Sequence, residues 1–149
     1  MKFRYAFQQI VDLKNNERTQ AEWVLSEAIG VLRTEQTMLD TLEAEKQRLQ
    51  QELAGTTERV TTISHMQGMQ HYVNHLHRQI EKKHVDVRQA KQHVEQKQQL
   101  LTDRMVDEKV WTKARDKAFR LHTALTLKKE QEALDEMASV RYLRSSPQV

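Results

Sequence analysis

The chain has 149 residues with only three glycines, one proline, no cysteine and 30% charged residues, a composition too poor in turn formers for a sheet protein and suited to long helices. The missing cysteine excludes a disulfide frame, a thiolate zinc cage and a cysteine nucleophile, and no stretch approaches the roughly 20 apolar residues of a membrane span. The net charge of +3 is uneven: residues 1–64 carry 8 Lys and Arg against 10 Asp and Glu, residues 65–149 carry 16 against 11, so the two halves attract each other.

The opening stretch, "MKFRYAFQQIVDLKNN", lacks the uninterrupted apolar core of a signal peptide, and the chain reads as soluble and cytoplasmic. Phe3, Phe7, Ile10 and then Leu13 or Lys14 recur at helical spacing, which predicts a first helix over about residues 3–56. From Leu25 a heptad seam runs through Ala28, Leu32, Glu35, Leu39, Leu42, Lys46, Leu49, Leu53, Thr56, Val60 and Ile63, nine of the twelve positions being apolar. "AGTTERVTTIS" then brings Gly55, hydroxyl residues and β-branched side chains that lower helix propensity. It predicts a turn over about 57–64, with Ser64 as N-cap of the returning helix.

The second helix is predicted over about 65–143, followed by a frayed tail at 144–149. Its seam restarts at Val73 and continues through Leu76, Ile80, Lys83, Val87, Ala90, Val94, Lys97 and Leu101, then turns ragged at Arg104 and Glu108 before Trp111. The predicted fold is all-α: a long antiparallel two-helix coiled-coil hairpin with a C-terminal helical overhang, forming one domain over 1–149. Pairing around the turn makes partner numbers sum to roughly 120, which sets Phe3 near Lys117 and leaves the remainder without a partner. That remainder carries Phe119, Leu121, Leu125, Leu127, Leu134, Met137, Val140, Tyr142 and Leu143, which a solvated helix does not need; it is the first candidate for a docking surface. The alternative is that the overhang packs on the N-terminal aromatics of the same molecule. A two-helix core is linear, so such a hairpin is marginal alone and stabilised by its partner.

Little in the sequence speaks of catalysis. "HMQGMQHYVNHLHRQI" holds four of the seven histidines, and His71 and His75 stand one helical turn apart, but no glutamate lies between them and no cysteine completes a ligand set. They read as surface histidines, with no metal or other cofactor. The carboxylate pairs Asp107/Glu108 and Asp135/Glu136 read as a solvated face, because two helices build no pocket that would raise a carboxylate's pKa. With no phosphate loop or nucleophile elbow the chain reads as non-enzymatic. Lys82/Lys83 and Lys128/Lys129 are interrupted by acids, so no continuous stripe for nucleic acid emerges.

The opening "FRYAFQQIVDLKNNE" leads into a heptad helix, and "VWTKARDKAF" is followed late in the chain by "KKEQEALDEMASVRYLR", with Leu134, Asp135, Glu136, Ala138 and Tyr142 forming its acidic-aromatic block. This combination resembles the flagellar FliJ family over nearly the whole chain. The resemblance implies a component of the flagellar type III export apparatus, similar to part of the rotary ATPase γ stalk. Such a protein is expected to bind and stimulate the hexameric flagellar export ATPase, link it to the membrane export gate protein, and act as a general export chaperone. It serves flagellum assembly, and through it motility and chemotaxis, with export substrate chaperones as further partners. It is expected in the cytoplasm, held peripherally at the cytoplasmic face of the cell membrane at the flagellar base.

On that expectation Trp111, Arg115, Lys117, Phe119, Arg120, Leu127, Leu134, Asp135, Glu136 and Tyr142 contact the ATPase. Met38, Leu42, Tyr72, Leu76 and Gln79 contact the export gate, packing being an equal reading for Leu42 and Leu76, which fall on the seam. The competing expectation is a cytoplasmic scaffolding coiled coil unrelated to export, such as a parallel dimer of one helix about 200 Å long, against about 110–120 Å for the hairpin.

Overall fold

The structure, a computed structural model, describes residues 2–56 and 62–145. Two helices account for nearly all of them, α1 (Gln8–Thr56) and α2 (Ile63–Ser145), packed on each other as an antiparallel hairpin with no strand among the described residues. The all-α hairpin expected from the heptads is therefore found. Most of the predicted turn, with the seam position Val60, lies outside the described residues.

Both helix starts differ from expectation for identifiable reasons. The first helix begins at Gln8, with residues 2–5 outside it and 6–7 in a turn. The Gln8 N–H donates to the Tyr5 carbonyl at 3.1 Å and the Val11 N–H to that of Phe7 at 3.1 Å, so the aromatic segment supplies the acceptors of the first turn. In place of helix, Phe3, Tyr5 and Phe7 pack ring to ring, at 6.5 Å and 5.7 Å between centroids. At α2 the cap is Thr62, not Ser64: the His65 N–H donates to Thr62 Oγ1 at 3.3 Å and the Met66 N–H to the Thr62 carbonyl at 3.2 Å. A hydroxyl two residues earlier caps equally well, and Ile63 then enters the helix. Ile63 is 74% exposed, so it lies off the seam to which the heptad count assigned it.

Within residues 19–102 the heptad pattern becomes a core. Ala21, Ala28, Leu39 and Leu49 of α1 and Val73, Leu76, Ile80, Val87 and Ala90 of α2 are buried. Leu49, Val73 and Leu76 form one cluster, Leu39, Ile80 and Val87 the next, and Leu42 packs against both. Two of the charged seam positions pair with each other across the helices: Lys83 Nζ donates to Glu35 Oε2 at 2.8 Å. Slipping the register would part Glu35 from Lys83 and leave the lysine only its longer contact with Asp86, at 3.6 Å on the same helix, so this polar layer contributes specificity more than stability. The carboxylate holds the Lys83 ammonium above its ordinary pKa, against a smaller opposing effect of desolvation.

Residues 2–18 and 103–145 form the second unit. Here the seam that turned ragged in the sequence continues as ion pairs. Lys14 meets Asp107 at 2.7 Å, Arg104 meets Glu17 at 3.3 Å, and Arg18 pairs with Glu108. Hydrogen bonding to Asp107 raises the Lys14 pKa. Beyond this polar layer the aromatic residues take over, Phe7 lying edge-on to Trp111 at 6.0 Å and Phe3 to Phe119 at 5.2 Å. Phe3 also reaches His122 at 5.3 Å, further along α2 than its expected neighbour Lys117. Extended backbone advances about 3.3 Å per residue against 1.5 Å for helix, so a non-helical start covers more of the opposite helix.

Candidate functional site

α2 continues well past the residues that cover it. From Leu127 to Ser145 every residue is exposed, yet the helix persists because leucine, alanine, lysine, glutamine and glutamate dominate it and the single proline, Pro147, falls after it. Gln131 Nε2 donates to Asp135 Oδ1 at 3.2 Å, and Arg144 stands in the last turn, where a cation is favourable to the helix dipole. Leu127, Leu134 and Met137 share one face at helical spacing. They stay 60%, 61% and 56% exposed. Beside them Ala133, Glu136, Met137, Val140, Arg141 and Arg144 line a shallow hollow.

The ten residues expected at the ATPase divide into groups. Leu127, Leu134, Asp135, Glu136 and Tyr142 lie on the uncovered helix. Arg115, Lys117 and Arg120 are exposed and make no ion pair among the described residues. Trp111 and Phe119 are different, being engaged by the N-terminal aromatics Phe7 and Phe3. To that extent the overhang does pack on the start of the same chain, and the uncovered part begins after His122. Trp111 and Tyr142 stand about 46 Å apart along the helix, so the set is an extended face and not one pocket.

The second surface lies within residues 19–102. Thr37, Met38, Thr41 and Leu42 of α1 face Gln79, Lys82, Lys83 and Asp86 of α2 across a groove of about 520 Å³, bringing together three of the five residues expected at the export gate. The Thr37 and Thr41 hydroxyls donate to the carbonyls four residues back, at 2.8 Å and 2.9 Å, so neither is free to hold a ligand by donation. Tyr72, 44% exposed, donates its hydroxyl to Glu45 at 3.0 Å, a bond that raises its pKa. Leu76 is only 2% exposed and packs in the cluster with Leu49 and Val73.

The remaining motifs are absorbed by pairing. His71 and His75 are exposed, with the His75 ring stacked on Tyr72 at 6.2 Å. His77 Nδ1 faces Lys46 Nζ at 2.9 Å and its Nε2 faces Glu81 at 3.1 Å. A lysine ammonium can only donate, so the neutral ring carries its proton on Nε2. Among the described residues no three histidine, aspartate or glutamate side chains are placed to hold a metal ion. Asp107 and Glu108 are engaged by Lys14 and Arg18. Sequence reasoning missed Trp23, 78% exposed beside Glu22 and Glu27. The sequence shows Lys82 and Lys83 as a basic pair interrupted by acids, and Lys83 as a seam position, but neither reading places them on the groove.

Comparison with known proteins agrees with this architecture. A family model described as Flagellar FliJ protein matches residues 2–147. The Flagellar FliJ protein of Bacillus subtilis (strain 168) is 21% identical over 143 residues, covering 96% of this chain and 97% of the relative. Among solved structures, that of a YscO homolog from Chlamydia trachomatis superposes with a TM-score of 0.64 at 20% identity, covering 95% of this chain and 96% of that one, a likeness of fold. With the family model matched from one end of the hairpin to the other, the chain belongs to the flagellar FliJ protein family.

Proposed function

We propose that the chain is a non-enzymatic component of the flagellar type III export apparatus that works as a stalk: its uncovered C-terminal helix binds the hexameric export ATPase and stimulates it. One observation carries this reading. The helix from Leu127 to Ser145 keeps a leucine and methionine stripe exposed, an arrangement that costs solubility and gains nothing in the isolated chain. Leu127 and Leu134 serve as apolar anchors, and Arg115, Lys117 and Arg120, which have no carboxylate partner among the described residues, steer the helix toward acidic loops. The groove at Met38, Leu42 and Gln79 is the contact to the membrane export gate. Family membership favours this over an unrelated scaffold.

The test is hexamer formation by the purified flagellar export ATPase, followed by light scattering with the full chain or with a chain ending at Thr126. Assembly promoted by the full chain and not by the shortened one supports the assignment. Equal promotion by both removes the C-terminal helix from it.

A further inference from the structure

The uncovered helix has a pattern of its own. Leu127, Glu130, Leu134, Met137, Arg141 and Arg144 alternate steps of three, four, three, four and three, which is a coiled-coil seam. Every one of them is exposed, and Glu130, Arg141 and Arg144 have no ion-pair partner among the described residues. We infer that this seam is self-complementary and pairs antiparallel with the same helix of a second copy of the chain.

The charges decide the direction. In a parallel pair each seam residue meets its own copy, which sets Glu130 against Glu130, Arg141 against Arg141 and Arg144 against Arg144, three like-charge layers. In an antiparallel pair centred between Leu134 and Met137, Leu134 meets Met137 and Glu130 meets Arg141, each twice because the two-fold axis repeats every contact. At the ends Leu127 lies under Arg144, whose aliphatic stem covers it while the guanidinium reaches water. Flanking the axis, Ala133 falls opposite Val140, so the centre is apolar and the charged layers bracket it.

Such a seam is short, and the pairing is reversible: the dimer forms as concentration rises through the micromolar range and above. The surface that self-pairing covers includes Leu127 and Leu134, so a dimer and an ATPase-bound chain exclude each other. That corollary rests on the proposed function; the pairing itself does not, and its test contains no ATPase.

The experiment is sedimentation equilibrium of the full chain over a concentration series, with helix content of every variant checked by circular dichroism. The chain is expected to move from monomer toward dimer mass. Glu130→Arg and Arg141→Glu should each weaken association by roughly tenfold or more, since each turns two attractive layers into repulsive ones. The double exchange Glu130→Arg with Arg141→Glu should restore it, because the antiparallel layers are again opposite in charge, whereas a parallel pair would gain nothing. Monomer mass at every concentration, or association indifferent to the single reversals, overturns the inference. Dimerisation lost in the singles and not recovered in the double overturns the antiparallel pairing.

Discussion

Replacing Leu76 by alanine separates the two readings of that residue, core and contact. Leu76 is 2% exposed and sits in a cluster with Leu49 and Val73, with Leu42 and Met69 packed against it. The substitution removes three buried carbons, about 2.4 kcal/mol at roughly 0.8 kcal/mol each. A cavity term adds to this, but the two helices can close part of the gap, so the expected loss is about 2.5–3 kcal/mol, toward the low end of leucine-to-alanine changes. Urea unfolding followed by far-ultraviolet circular dichroism measures it, with Leu134→Ala as the control. Leu134 is 61% exposed, and its truncation should cost no more than about 0.5 kcal/mol. A loss below about 1 kcal/mol for Leu76→Ala, or equal losses for both variants, would refute the placement of the core.

The caps and polar layers make further predictions. Thr62→Ala should destabilise the chain by about 1 kcal/mol through loss of the α2 N-cap, and Ser64→Ala should have little effect; thermal melting distinguishes them. Lys14, Tyr72 and Lys83 all have raised pKa values, chiefly from hydrogen bonds to Asp107, Glu45 and Glu35. A raised folded-state pKa contributes stability that is complete below the unfolded value and lost as pH climbs through the folded one. Stability should therefore decline on the alkaline side, from the ordinary tyrosine and lysine range upward. In Glu35→Gln the lysine contribution to that decline should shrink, which unfolding curves across alkaline pH report. Phe7→Ala should redshift and quench Trp111 emission, read in a Trp23→Phe background, because the edge-on ring at 6.0 Å is removed.

What the sequence made legible was whatever rests on periodicity. Every described position of the seam from Leu25 to Leu53, and from Val73 to Leu101, is buried or partly buried, the charged Glu35, Lys46, Lys83 and Lys97 included. A spacing of three and four dictates which side faces a neighbour whatever the residue type, so these positions could be named in advance. The raggedness at Arg104 and Glu108 misled because a heptad count scores one strand of sequence. Their partners, Glu17 and Arg18, lie almost ninety residues away and make sense of the charges only once the chain is folded back. The helix starts at Gln8 and Ile63 depend on which of several neighbouring groups supplies the first acceptors, a choice of small energy that local pattern does not resolve. Of the candidate surface, the uncovered stripe could be read directly from unneeded leucines. Trp111 and Phe119 could not be sorted from it, because a non-helical N-terminal segment reaches further than a helical one.

The central claim is that the exposed stripe on the C-terminal helix is the contact to the flagellar export ATPase. Its most direct test is the rate of ATP hydrolysis by that purified enzyme with the full chain and with Leu127→Glu plus Leu134→Glu, two changes in water-exposed positions that leave the hairpin core untouched. The account predicts stimulation by the unaltered chain and its loss in the double variant, with helix content unchanged. Undiminished stimulation by a folded double variant would contradict it.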